Sequence, residues 1–152
     1  MIHTLNGVWE EYLRPMIFRP RRLQTAALCL RQNGGDKEVL LITSRDTGRW
    51  IIPKGWPMNG KTCAEAALQE AWEEAGVTES SITSTPLGTY NYDKRLKHGA
   101  IEPVTVLIYE VQVGHLADEF PEVSERKRAW FTPVKAATLV AEPELQAVLR
   151  AL

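Results

Sequence analysis

The chain has only two cysteines, Cys29 and Cys63, each inside an apolar or helical run and with no C-x-x-C spacing. That excludes a disulfide framework or a thiolate metal site as the organising element and points to reduced thiols in a cytoplasmic protein. Long hydrophobic runs are missing as well: nothing approaches the roughly 18 apolar residues a membrane-spanning helix needs. At the start, "MIHTLNGVWEEYLRPMIF" places Glu10 and Glu11 where a signal peptide would carry its apolar core, so no export and no membrane partner are expected. Charge of one sign is also absent. Eighteen basic and 19 acidic residues leave a net charge of −1, which argues against nucleic acid as a partner and requires any anion site to be local. Repeats and low-complexity segments are lacking, and no feature specifies an oligomeric state.

What is present fits one domain of 152 residues, with 44% hydrophobic and 24% charged residues. Residues 1–22 have weak periodicity, end in "RPRR", and read as a peripheral arm. "LQTAALCLR" (23–31) and "VLLIT" (39–43) read as strands separated by the turn-rich "QNGGDK". "WII" (50–52) is a short strand stopped by Pro53. Strand character returns at 85–92, at 104–113 with "VTVLIYEVQV", and at "RAWF" (128–131). In the final segment Leu145, Val148, Leu149 and Leu152 form one helical stripe. Strands on both sides of a helix, followed by a helical end, predict an α/β (α+β) chain with a mixed sheet packed between helices.

The most informative stretch is "PKGWPMNGKTCAEAALQEAWEEAGV", residues 53–77. Thr62 and Glu65 make a T-x-x-E capping box, and Gly76 marks the end of a helix over about 63–75. At 100° per residue Ala64, Leu68, Ala71, Trp72 and Ala75 form the apolar stripe expected to face the core. Glu70, Glu73 and Glu74 then fall within an arc of about 100° on the opposite side. This is unfavourable as helix chemistry. Glu70 and Glu74 repel at i, i+4, and all three carboxylates lie near the negative end of the helix dipole, with no lysine or arginine to balance them. Acidic helix faces usually do nothing but solubilise. Here local stability favours cations instead, so three oxygen-rich side chains point to a hard cation, Mg²⁺ or Mn²⁺, of the kind that also binds substrate phosphates.

These residues resemble the Nudix box, which runs glycine, five residues, glutamate, seven residues, then arginine-glutamate-aliphatic-x-glutamate-glutamate-x-glycine-aliphatic. Gly55, Glu70, Glu73, Glu74, Gly76 and Val77 fall on its positions, with Ala71 in the aliphatic place. The flanking "RWIIPKG" and "RKRAWFTP" are similar to the diphosphoinositol polyphosphate phosphohydrolase branch, and the likeness covers about residues 23–140. The resemblance implies the Nudix fold, a mixed β-sheet sandwiched between α-helices. It also implies divalent-metal-dependent hydrolysis of a pyrophosphate linkage in a small phosphorylated substrate, a dinucleoside polyphosphate or a diphosphoinositol polyphosphate. On the same ground Glu73 and Glu74 are metal ligands, Glu70 a further ligand or a group that helps position or deprotonate the attacking water, and the Gly55 carbonyl an additional ligand. Other readings stand beside this one: hydrolysis of an mRNA 5′ end or a nucleotide sugar, and a non-catalytic phosphate-ligand sensor on the same fold.

Two box positions depart from the family. Lys61 stands for the first glutamate and Gln69 for the arginine. One acid and one base are lost together, so the box keeps its net charge, and Gln69 is placed to hydrogen-bond Glu73 four residues on. A decayed, inactive box is the competing reading, although idle carboxylates would be costly at these positions.

Cations cluster in "RPRR", at Arg45, Arg49 and Lys54, in "KRLKH" (94–98) and in "RKR" (126–128). Most surface charge is incidental. On the resemblance, Arg45, Lys54, Arg126 and Arg128 are the substrate-binding residues, with Arg126 and Arg128 on one face of a strand and Lys127 on the other. Lys94, Arg95 and Lys97 are weaker candidates on a loop, and His98 is a lone loop histidine. Trp50 and Trp56 bracket the box entrance; either could stack on a base, although tryptophan more often packs, and Trp50 resembles a structural position of the family. Glu119, Glu122 and Glu125 precede "RAWF" as alternatives for a general base.

Overall fold

A computed structural model describes residues 21–152, and the peripheral arm expected over 1–22 lies outside the described residues except for Arg21 and Arg22. The strands are β1 (Arg22–Asn33), β2 (Asp36–Thr43), β3 (Trp50–Ile51), β4 (Lys54–Gly55), β5 (Val77–Thr78), β6 (Ser81–Ile82), β7 (Gly88–Arg95), β8 (Ile101–Gln112), β9 (His115–Leu116) and β10 (Arg128–Phe131). The helices are α1 (Cys63–Ala75), α2 (Pro133–Leu139) and α3 (Pro143–Arg150).

The main sheet runs β10-β2-β1-β8-β6, with β3 added to β2, β4 to β1 and β7 to β8; β5 and β9 form a separate pair. β1 lies parallel to β8, while its pairings with β2 and β4 are antiparallel, so the sheet is mixed as expected. Both faces of the central strands are covered, which is why they read as continuous apolar runs rather than alternating ones. Ala26, Leu28 and Leu30 of β1 join Val104, Val106 and Ile108 of β8 in a core closed by Ala136 and Ala137 of α2 and Leu145 and Leu149 of α3. The alternate residues Ala27 and Cys29 join Tyr109 and Val111 in a second core closed by Ala67, Ala71 and Ala75 of α1.

The "QNGGDK" segment is mostly strand rather than loop. Asn33 pairs with Asp36, leaving Gly34 (φ 60°) and Gly35 (φ 91°) as a two-residue turn. Positive φ at both central residues matches the twist of a tight hairpin, so the two glycines let the ladder run to its end. The predicted capping box of α1 is present in both directions, and Gly76 ends the helix with left-handed backbone at φ 73°.

The face of α1 differs from the expectation. Ala66, Ala67, Ala71, Glu74 and Ala75 are buried, whereas Ala64, Leu68 and Trp72 are only half-buried. Leu68 and Trp72 dominate a hydropathy reading. Alanines, with nothing beyond Cβ, allow the helix to sit close against the sheet, and the whole acidic set is rotated by part of a turn. Glu74 therefore lies on the buried face, not opposite it.

The counter-charge missing from the end of α1 comes from β10. Arg128 Nη1 donates to the Ala75 carbonyl at 2.7 Å, and its guanidinium lies 4.7 Å from the Phe120 ring centroid. A cation on the last carbonyls satisfies both an orphan acceptor and the dipole. Arg128→Met is expected to lower stability by about 1–2 kcal/mol in urea titration while KM holds within about twofold. A large rise in KM at unchanged stability would restore Arg128 to the substrate site.

Candidate active site

A cleft of about 640 Å³ opens between α1, the β2–β3 loop, β4 and β7. Its floor is built by the approach of α1 to β4. Glu70 packs against Gly55 so closely that a Cβ there would overlap its carboxylate. The backbone N–H of Lys54 donates to Glu74 Oε1 at 3.2 Å, and Arg126 Nη2 lies 3.3 Å from Glu74 Oε2. Glycine at 55 thus has a steric reason within the site.

Glu74 is 2% exposed. Burial raises its carboxyl to about 7, against the pull of Arg126 and Lys54. Glu70 is raised to about 8, by burial first and then by the charges of Glu74, Glu73 and Glu122. On the other wall burial lowers Lys54, opposed chiefly by Glu74, and its Nζ stands 5.2 Å from the Tyr92 ring centroid. Two carboxyls pushed upward side by side are a place where an added positive charge is strongly favoured.

Arg126 organises this region. Its Nε and Nη2 donate to Glu122 Oε1 at 3.2 and 3.1 Å, and Nη1 donates to the Thr43 carbonyl at 3.0 Å. It precedes β10 instead of lying within it, so the expected shared face with Arg128 does not form. Arg126 lines the cleft, and Arg128 does not. Arg45 lines it too, 3.3 Å from Glu122 and 3.4 Å from Glu125. Of the three acids considered as bases, Glu122 is the one at the cleft.

Glu73 stands apart from Glu70 and Glu74. It does not line the cleft, and its Oε1 accepts from Gln69 Nε2 at 2.9 Å, the bond expected from the i, i+4 spacing. Among the described residues no three His, Cys, Asp or Glu side chains are gathered closely enough to hold a metal by themselves. The expected three-carboxylate cluster is thus a pair facing the cleft with a third on its flank. The donor set still suits a hard cation. Mg²⁺ commonly takes one or two carboxylates and completes its shell with water and substrate phosphate, and Glu70, Glu74 and the Gly55 carbonyl are oxygen donors of that kind.

Sequence reading missed part of the wall. Gln24 and Tyr92 line the cleft, with the Tyr92 hydroxyl donating to Gln24 Oε1 at 2.6 Å. Lys94 and Arg95 belong to β7 and reach the cleft, whereas Lys97 and His98 in the following turn do not. Tyrosine and lysine alternating in "YNYDKR" was the available signal. Trp56 lines the cleft beneath Arg22, whose guanidinium is 4.0 Å from its ring centroid. Trp50 packs edge-on against Phe131 at 5.1 Å, as a structural residue.

The NUDIX domain family matches the chain over residues 21–152. Nudix hydrolase 12, mitochondrial, of Arabidopsis thaliana is 30% identical over 117 residues, covering 74% of this chain and 56% of that protein. Human diphosphoinositol polyphosphate phosphohydrolase 3-beta is 30% identical over 110 residues, covering 71% of this chain and 62% of that one. The chain therefore spans less than two thirds of the length of either. Among solved structures, an Ap4A hydrolase from C. elegans superposes with a TM-score of 0.64 at 21% identity, covering 86% of this chain and 95% of that one. The NUDIX domain of Shewanella oneidensis NrtR, crystallised with ADP ribose, gives 0.64 at 18% identity, covering 96% and 95%.

Proposed function

The chain belongs to the NUDIX domain family, and from that premise we propose that it is a divalent-metal-dependent pyrophosphohydrolase acting on a small, phosphate-rich substrate. The observation that carries this reading is the pair of desolvated carboxyls, Glu70 and Glu74, set against Gly55 at the floor of a cation-lined cleft. Glu70, Glu74 and the Gly55 carbonyl would hold the metal, and Mg²⁺ or Mn²⁺ suits these donors. When bound, a cation at these residues would supply neutralisation of pyrophosphate charge and a lowered pKa for bound water. The chain's own groups do the rest. Arg45, Lys54 and Arg126 bind and orient phosphate oxygens, and Glu122 stands by as the acid-base group.

Between the two substrate classes the cleft favours a dinucleoside polyphosphate. Six cationic side chains line it against five acidic ones, a near balance that suits a chain of a few phosphates better than a densely phosphorylated inositol. Trp56 and Tyr92 add aromatic surface that an inositol ring would not use. The free thiols Cys29 and Cys63 fit a cytoplasmic location, and no helix among the described residues is long and apolar enough to cross a membrane.

The test is a substrate panel with Mg²⁺ and with chelator, comprising dinucleoside polyphosphates, diphosphoinositol polyphosphates, nucleotide sugars and 5′-capped RNA. Fastest chelator-sensitive turnover is expected on dinucleoside polyphosphates. Ligand binding without turnover across the panel would favour the sensor reading instead. Within the box, Gln69→Arg is expected to keep or raise turnover, because either residue can donate to Glu73. A fall of more than about tenfold with unchanged melting would show that the amide is required.

A further inference from the structure

The cation wall has a support outside the cleft. Glu142, immediately before α3, is 8% exposed and does not line the cleft. It occupies the N-cap position of α3 but makes no side-chain capping bond. Its carboxylate turns the other way: Oε1 accepts from Arg49 Nη1 at 3.4 Å, and Oε2 is buried with no hydrogen-bond partner. Burying a carboxylate with one oxygen unsatisfied is unfavourable, and a helix that needs only a cap would be better served by serine, threonine or aspartate. The cap does not explain Glu142.

Arg49 explains it better. This residue closes the β2–β3 loop, where its carbonyl accepts from the Ser44 N–H at 2.7 Å and its Nε donates to Thr47 Oγ1 at 3.3 Å. It lines the cleft with its side chain 45% exposed. An arginine at a loop end, left alone, would sample many rotamers. Thr47 on one side and Glu142 on the other take two of its five N–H donors and leave three for a ligand. Planar donors held in advance are the arrangement that recognises phosphate bidentately.

We propose that Glu142 is a positioning residue that holds Arg49 as a phosphate-binding arm at the cleft mouth. The proposal rests on the reading of the cleft as a polyphosphate site, so its test includes binding as well as turnover. Inorganic tripolyphosphate with Mg²⁺ is titrated calorimetrically into wild type, Glu142→Gln, Arg49→Ala and the double variant, and KM and kcat are measured on the best substrate. Glu142→Gln is expected to weaken tripolyphosphate binding and raise KM about tenfold, with kcat lowered by no more than about twofold. Arg49→Ala should do the same, and the double variant should be no worse than either single one. A structural role alone would lower melting without this shared loss. Additive losses, or wild-type binding by Glu142→Gln, would overturn the proposal. If Glu142→Gln does not fold, the exposed Arg49→Ala decides, and wild-type affinity there is equally fatal. Wild type that binds tripolyphosphate but hydrolyses nothing would remove the enzymatic reading and leave the positioning role standing; wild type that binds none removes both.

Discussion

Glu74→Gln is expected to reduce kcat/KM by at least about 10²-fold while the metal-free protein melts no lower than wild type at pH 8. Both halves follow from where the side chain sits. Glu74 is 2% exposed, accepts from the Lys54 N–H and faces Arg126, so an amide of the same shape keeps the packing and the Lys54 bond, while its NH2 replaces the oxygen that faced Arg126. It removes a charge that burial already disfavours, and Arg126 keeps Glu122 as its partner. Stability is therefore retained or gained. Turnover is expected to fall because the substitution removes one of the two carboxylate charges facing the cleft, which weakens the hold on a hard cation against its own hydration. Glu73→Gln should be the milder change, since its carboxylate lies outside the cleft and Gln69 can hydrogen-bond an amide as well. Loss of folding in Glu74→Gln, or a larger kinetic loss in Glu73→Gln than in Glu74→Gln, would move the site to the flank of the helix.

The contrast between these two glutamates shows what could be read before any coordinates. Spacing located α1, its capping box and its final glycine, because those signals are local and each is satisfied within a turn. The strands around Leu28 and Leu41 were visible because residues buried on both faces leave an unbroken apolar run, and the strand around Val106 because it is rich in β-branched and aromatic residues. The rotation of α1 was not visible. It depends on how closely alanines can approach the sheet, a property of the partner surface rather than of the helix. A rotation of part of a turn brings Glu74 onto the buried face and leaves Glu73 hydrogen-bonded to Gln69 on the flank of the helix. Arg126 and Arg128 show the same limit, since β10 begins at Arg128 and two arginines expected to act together serve different acceptors. Gln24, Tyr92 and Glu142 come from β1, β7 and the start of α3, and only tertiary pairing brings them near Lys54.

The second large effect is on stability as a function of pH and metal. Glu70 at about 8 and Glu74 at about 7 both lie above the ordinary value of 4.5. A raised folded-state pKa means that the folded chain holds protons the unfolded chain has released. Their contribution is thus fully present below about pH 4.5 and is lost as pH rises through 7 and 8. For Glu74 the difference is on the order of 3 kcal/mol, with a smaller share from the partly exposed Glu70. The metal-free protein should therefore lose several degrees of melting temperature between about pH 5.5 and 8.5, at roughly 2–4 °C per kcal/mol for a domain of this size. Mg²⁺ should reverse the loss, because a ligand bound only by the folded state stabilises it by an amount that grows with the logarithm of its concentration over Kd. Its effect should be large at pH 8.5 and small at pH 5.5, where protons occupy the same carboxylates. In the Glu70→Gln, Glu74→Gln double variant both the pH slope and the Mg²⁺ shift should largely disappear. Equal Mg²⁺ shifts at the two pH values, or a slope that survives in the double variant, would assign the cation to other ligands.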